Sequence, residues 1–180
     1  ILGLPYPGGP NVESYAARGN PRAYPLPRPL LGRAGTDFSF SGLKTAVRQL
    51  VTQNQVNIED ACASFQAAAI DILRDRTAHA LTRFREEFAH AARPTLVVAG
   101  GVAANAAIGS ALAKLADQHG FEIRVPPPRY CTDNAAMIAW AGLERFALGE
   151  RDPLDFSPKA RWPLDASGDN RHSGERQQGA

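Results

Sequence analysis

The chain has 180 residues, of which 44% are hydrophobic and 21% charged, with a formal net charge of +2. That composition allows one globular core, and no apolar run approaches the roughly 20 residues needed to span a bilayer as a helix. The 2 cysteines, Cys62 and Cys131, exclude a disulfide framework and a four-thiolate zinc site; they read as buried apolar residues in a reducing, cytoplasmic setting.

The opening Ile1-Leu2-Gly3-Leu4-Pro5 has neither an initiator Met nor a basic signal-like region, so the sequence is expected to begin inside a protein. Repeated Pro and Gly over residues 1–35 forbid a long helix and favour extended and turn structure. One short helix fits at about Asn11 to Ala17. From Ser14 to Val56, six cations (Arg18, Arg22, Arg28, Arg33, Lys44 and Arg48) face Asp37 alone. Such a segment attracts phosphates or a nucleic-acid backbone, or is a loop of scattered solvated arginines. Alternation in Asp37-Phe38-Ser39-Phe40-Ser41 predicts a half-buried strand, and Gly42 turns the chain into a helix over about Leu43 to Thr52.

Ile58 to Phe88 has helical spacing of apolar residues at Ile58, Ala61, Phe65, Ala69, Ile72, Ala80, Phe84 and Phe88. Asn57 is its expected N-cap, and Asp60 holds the capping-box position where Glu or Gln is usual. The segment has room for a break near Arg76–Ala78. A strand is predicted at 95–99, a helix at about 103–118 closed by Gly120, and a strand at Phe121–Val125 ended by Pro126-Pro127-Pro128. The last helix spans about 133–148, with Gly149 at its C-terminal end. Alternating strands and helices indicate an α/β architecture. From Asp165 the tail has nothing apolar to bury and is expected to be disordered.

Two segments carry the candidate chemistry. Thr95-Leu96-Val97-Val98-Ala99-Gly100-Gly101-Val102-Ala103-Ala104-Asn105 runs from strand through a glycine pair into a helix. Gly100 and Gly101 would let a nucleoside lie against the backbone, the helix start would offer unpaired N–H groups, and the Asn105 amide would both donate and accept. The same pattern also suits a plain strand-to-helix turn. In Cys131-Thr132-Asp133-Asn134, Asp133 either caps its helix or presents a hard oxygen to a divalent metal. Tyr6-Pro7-Gly8-Gly9-Pro10 is a turn in which Gly9 permits close packing, and Glu13, one helical turn on, could reach ribose hydroxyls. Lys44 lacks P-loop spacing and reads as a solvated helix residue. His79, His90, His119 and His172 form no His-x-x-x-His or His-Glu-x-x-His pair.

Tyr-Pro-Gly-Gly-Pro at 6–10, Asp-Phe-Ser-Phe-Ser-Gly-Leu-Lys-Thr at 37–45, Ala-Gly-Gly-Val-Ala-Ala-Asn at 99–105 and Cys-Thr-Asp-Asn-Ala-Ala-Met-Ile-Ala at 131–139 occur in one order, with Arg161-Trp162-Pro163-Leu164 near the end. Over about residues 1–164 this resembles the C-terminal half of the TsaD family, the tRNA N6-adenosine threonylcarbamoyltransferases. The resemblance implies an actin-like ATPase fold of two α/β lobes with the ligand between them. It implies transfer of threonylcarbamoyl from threonylcarbamoyl-AMP to N6 of the adenosine beside the anticodon in ANN-decoding tRNAs. It makes Gly9 and Asn105, and with them Glu13, substrate-binding positions, with the adenosine resting against Gly100–Asn105, where the local pattern already places Gly100 and Gly101. Asp133 becomes a ligand of one divalent metal, iron or zinc. Partners implied are tRNA and TsaB-like and TsaE-like proteins, with no membrane. The family's His-x-x-x-His and Ser-Gly-Gly segments, which belong to its N-terminal half, do not occur here. The chain is therefore expected to supply half of a site; the other reading is a nucleotide-binding half-domain without transferase chemistry.

Overall fold

The computed structural model describes residues 1–53, 55–132 and 134–157. It divides into two compact units, Ile1–Ala135 and Ala136–Ala180. Helices α1 (Gly8–Ala16), α2 (Leu43–Gln53) and α3 (Ile58–Glu87) come first in the chain, followed by strand β1 (Thr95–Val97), helix α4 (Ala106–Gln118), strand β2 (Glu122–Arg124) and helix α5 (Ala135–Ala147). The architecture is thus mixed helix and sheet, the sheet being a two-stranded parallel pair with Leu96 opposite Ile123.

The first unit is organised around α3. Its 30 residues run without a break, so the room for an interruption near Arg76–Ala78 is not used; at 1.5 Å per residue the helix is about 45 Å long. Along it lie three apolar clusters. Cys62 and Ala63 pack with Ala16 of α1. Ala68 and Ile72 pack with Leu26 and with Leu43 and Val47 of α2. Leu81 packs with Ile108, Leu112, Leu115 and Ala116 of α4 and with Phe121. Elements arrive from several sides, so α3 buries more of its circumference than a single amphipathic stripe would.

Asn57 caps α3 as expected, its side chain accepting from the N–H groups of Glu59 at 2.9 Å and Asp60 at 3.1 Å. The reciprocal half of a capping box is missing. Asp60 instead accepts from the Asn20 N–H at 2.7 Å, and the Asn57 N–H donates to the Tyr24 hydroxyl at 3.0 Å. Asp is one methylene shorter than the Glu or Gln that usually reaches back to the cap. The chain thereby passes so close to the first turn of α3 that a Cβ on Gly19 would overlap the Glu59 carbonyl.

Farther along α3, Arg28 pairs with Asp71 at 2.6 Å. Arg76, only 1% exposed, pairs with Asp75 and donates to the carbonyls of Arg33 at 2.6 Å and Gly35 at 3.2 Å. Burial alone would raise the Asp75 carboxyl, but the hydrogen bonds from Arg76 and the Gly32 N–H, with the charges of Arg76 and His79, hold it below the ordinary carboxylate value. Polar groups of one helix therefore fasten the Pro/Gly-rich segment that has no regular structure to satisfy itself.

Several boundaries differ from the sequence-based expectation. α1 begins at Gly8, ahead of Asn11, because Pro10 falls within its first turn, where the missing N–H costs nothing. Residues 37–41 form no strand. No described strand pairs with them, and both phenylalanines stay about half exposed. α4 begins at Ala106, after a 3-10 turn over Gly101–Ala104, because Asn105 is a better cap than the alanines before it. The disordered-tail expectation from Asp165 concerns residues outside those described.

Candidate functional site

β1 leads into Gly100 at φ 85° and ψ 178°, a backbone conformation essentially restricted to glycine. A Cβ there would meet no atom within 4 Å. Glycine at this position therefore makes the turn possible and leaves the surface above it open. Gly101 has an ordinary backbone, and its nearest neighbour, the Cys131 carbonyl, lies 4.0 Å from where its Cβ would be. Gly9, exposed in the first turn of α1, likewise has open space around it.

Two candidates separated by about half of the chain meet at the start of α4. The Asn105 side-chain oxygen accepts from the Ile108 N–H at 2.9 Å. A Glu13 carboxylate oxygen accepts from the Ala106 N–H at 2.7 Å. Two of the first three N–H groups of α4 are thus satisfied from within the chain, and the Glu13 charge suits the positive end of the helix. The Asn105 amide nitrogen donates in turn to the Gln66 side-chain oxygen on α3 at 3.0 Å. Gln66 was not among the residues singled out from sequence. Its one signal is an amide standing in the otherwise apolar run Phe65–Ile70.

Asp133 lies outside the described residues. Among the described residues no three His, Cys, Asp or Glu side chains gather closely enough to hold a metal ion; the described side chains do not fit a metal centre by themselves. Cys62 and Cys131 are both buried and unpaired with each other. Burial, assisted by the charge of Glu59, raises the Cys62 thiol above its ordinary value, the opposite of what a nucleophile requires. The basic segment divides into two groups. Exposed Arg18 is paired with Glu59 at 2.6 Å and half-buried Arg28 with Asp71, whereas Arg22, Arg33, Lys44 and Arg48, also exposed, have no ion pair among the described residues.

Beside this turn, an apolar groove of about 490 Å³ runs between β1 and the Leu73, Thr77 and Phe84 side of α3, with Phe38 and Val102 at its wall. No described helix is long and apolar enough to cross a membrane.

Comparison with known proteins gives one consistent result. The family model described as TsaD: tRNA N6-adenosine threonylcarbamoyltransferase matches residues 1–140. A protein of that name from Agrobacterium fabrum is 58% identical over 173 residues, covering 93% of this chain and 47% of the relative. Proteins of the same name from Brucella anthropi and Brucella abortus strain S19 are 57% and 56% identical over 169 residues, each covering 92% of this chain and 47% of the relative. The chain therefore spans about half the length of the curated relatives it matches.

Proposed function

Because the chain belongs to the TsaD family, we propose that it forms one wall of a site that moves threonylcarbamoyl from threonylcarbamoyl-AMP to N6 of the adenosine next to the anticodon of ANN-decoding tRNAs. The observation that carries this reading is the meeting of Glu13 and Asn105 on the first turn of α4, beside the open backbone at Gly100 and Gly101. In this reading the adenosine of the adenylate rests on the glycine ledge, with Gly9 of α1 also facing the ligand. A carboxylate has about four acceptor sites, so Glu13 can keep the Ala106 N–H and still accept from ribose hydroxyls. Asn105 retains one amide hydrogen and one lone pair for the ligand after its two internal bonds. Fixed dipoles of this kind orient the donor so that the adenine amine meets its carbonyl with no rearrangement at the moment of reaction.

The proposal extends to an actin-like, two-lobed fold for the longer family chain. It makes tRNA the substrate, met by exposed Arg22, Arg33, Lys44 and Arg48, with TsaB-like and TsaE-like proteins as partners in the cytoplasm. Asp133 is the residue this chain would contribute to an iron or zinc ion, the other ligands coming from outside it.

The test is a chimaera in which this chain replaces the matching 47% of the Agrobacterium fabrum relative, assayed by mass spectrometry for threonylcarbamoyladenosine in tRNA. Restored modification is expected; a folded chimaera that leaves tRNA unmodified overturns the reading. In the same background, Asp133→Ala should lower bound iron or zinc, and unchanged metal content removes that assignment. Charge reversal at Arg22 and Arg33 should weaken tRNA binding and flatten its salt dependence; unchanged affinity removes those contacts.

A further inference from the structure

We propose that Gln66 is a positioning residue for adenylate binding, holding the plane of the Asn105 amide from α3 before ligand arrives. The inference rests on the reading of Asn105 as a ligand-binding residue. The terminal torsion of an Asn side chain is broad and poorly fixed by its own rotamer preferences. The bond from the Ile108 N–H pins one end of the amide at 2.9 Å; a single such bond leaves the group free to turn about it. The second bond, from the amide nitrogen to Gln66 at 3.0 Å, pins the other end. Two points fix the plane, and with it the directions of the hydrogen and lone pair that remain for a ligand.

Three features suit Gln66 to this task. It is half buried, so water competes with its bond less than at an open surface. It stands on α3, the element that all three apolar clusters share, so its position does not depend on a loop. It is also 39 residues from Asn105, so the bond ties the turn after β1 to α3. Glu13 braces the adjacent Ala106 N–H from α1, and the start of α4 is thereby held from two helices.

Steady-state kinetics of the chimaera, with threonylcarbamoyl-AMP as the varied substrate, test the proposal. Gln66→Leu keeps the side-chain volume roughly constant but removes the acceptor. It should raise KM about tenfold while kcat stays within about twofold, the pattern of lost ground-state and transition-state binding together. Gln66→Glu keeps an oxygen in place for the Asn105 amide and should return KM to near the unsubstituted value. Thermal midpoints of both variants should match the parent closely. An unchanged KM in Gln66→Leu, while Asn105→Ala raises it, overturns the role of Gln66 and leaves the reading of Asn105 standing. An unchanged KM in Asn105→Ala overturns that reading, and this proposal with it. A fall in thermal midpoint and kcat with no change in KM, or no rescue by Gln66→Glu, shows a structural bond only and also overturns it.

Discussion

Helices α3 and α5 carry similar apolar side chains and come to opposite ends. α3 buries nine residues, among them Ser64, Arg76 and Thr77. Within its own compact unit α5 buries none: Met137, Ile138, Trp140, Leu143 and Phe146 are all more than half exposed. The reason is not apolarity, since α3 includes a fully buried arginine and α5 an exposed tryptophan. α3 is met by α1, by α2, by α4 and by the 20–36 segment, and each neighbour excludes water from a different strip. A helical pattern expresses a capacity for burial; the burial itself requires surfaces to press against.

Equivalent truncations sharpen the contrast. The largest effect is expected from Ile72→Ala, which empties a fully buried site between Leu26 and α2; it should cost about 3 kcal/mol in urea unfolding followed by far-ultraviolet circular dichroism. A loss of well under about 1 kcal/mol would mean that the α2–α3 cluster is loosely packed around Ile72.

An intermediate effect is expected at the polar fastening of α3. Arg76→Met leaves the Arg33 and Gly35 carbonyls without their donor and should cost about 2 kcal/mol. The same fastening is pH-dependent. Asp75 titrates below its ordinary value in the folded chain, so its contribution is complete above the unfolded-state value of about 3.9. It is lost as pH falls through the lower folded value. Stability should thus decline in acid, and Asp75→Asn should flatten that decline; an unaltered pH profile would place the acid sensitivity elsewhere.

The smallest effect is expected from Ile138→Ala on α5, within about 0.5 kcal/mol. Were it to cost as much as Ile72→Ala, the comparison between the two helices would break.

Much of the local geometry of the candidate site could be read from residues alone. Gly100 had to be glycine once a strand was to turn there, and Asn105 is both a good cap and a versatile hydrogen-bonding group. What could not be read was the company these residues keep. The sequence places Glu13 within reach of a ribose, yet one of its oxygens also holds the Ala106 N–H. Arg18 and Arg28 stand in a segment with one local acid, Asp37, yet Glu59 and Asp71 of α3 lie opposite them. Gln66 carried no signal beyond being polar among apolar neighbours. The missed strand at 37–41 has the same origin: alternation is a local property, and a strand exists only where another strand accepts its hydrogen bonds.

Chain order, helix identities, the glycine turn and the family motifs were determined by the sequence itself, because each depends on backbone preference or spacing within a few residues. Tertiary structure alone decided that α3 stays whole past Arg76, which cations are already paired, and that Glu13, Gln66 and Asn105 meet at one helix start. Those outcomes depend on groups 39 to 93 residues apart, and contacts at that range follow from how the elements pack, which no local window of sequence contains.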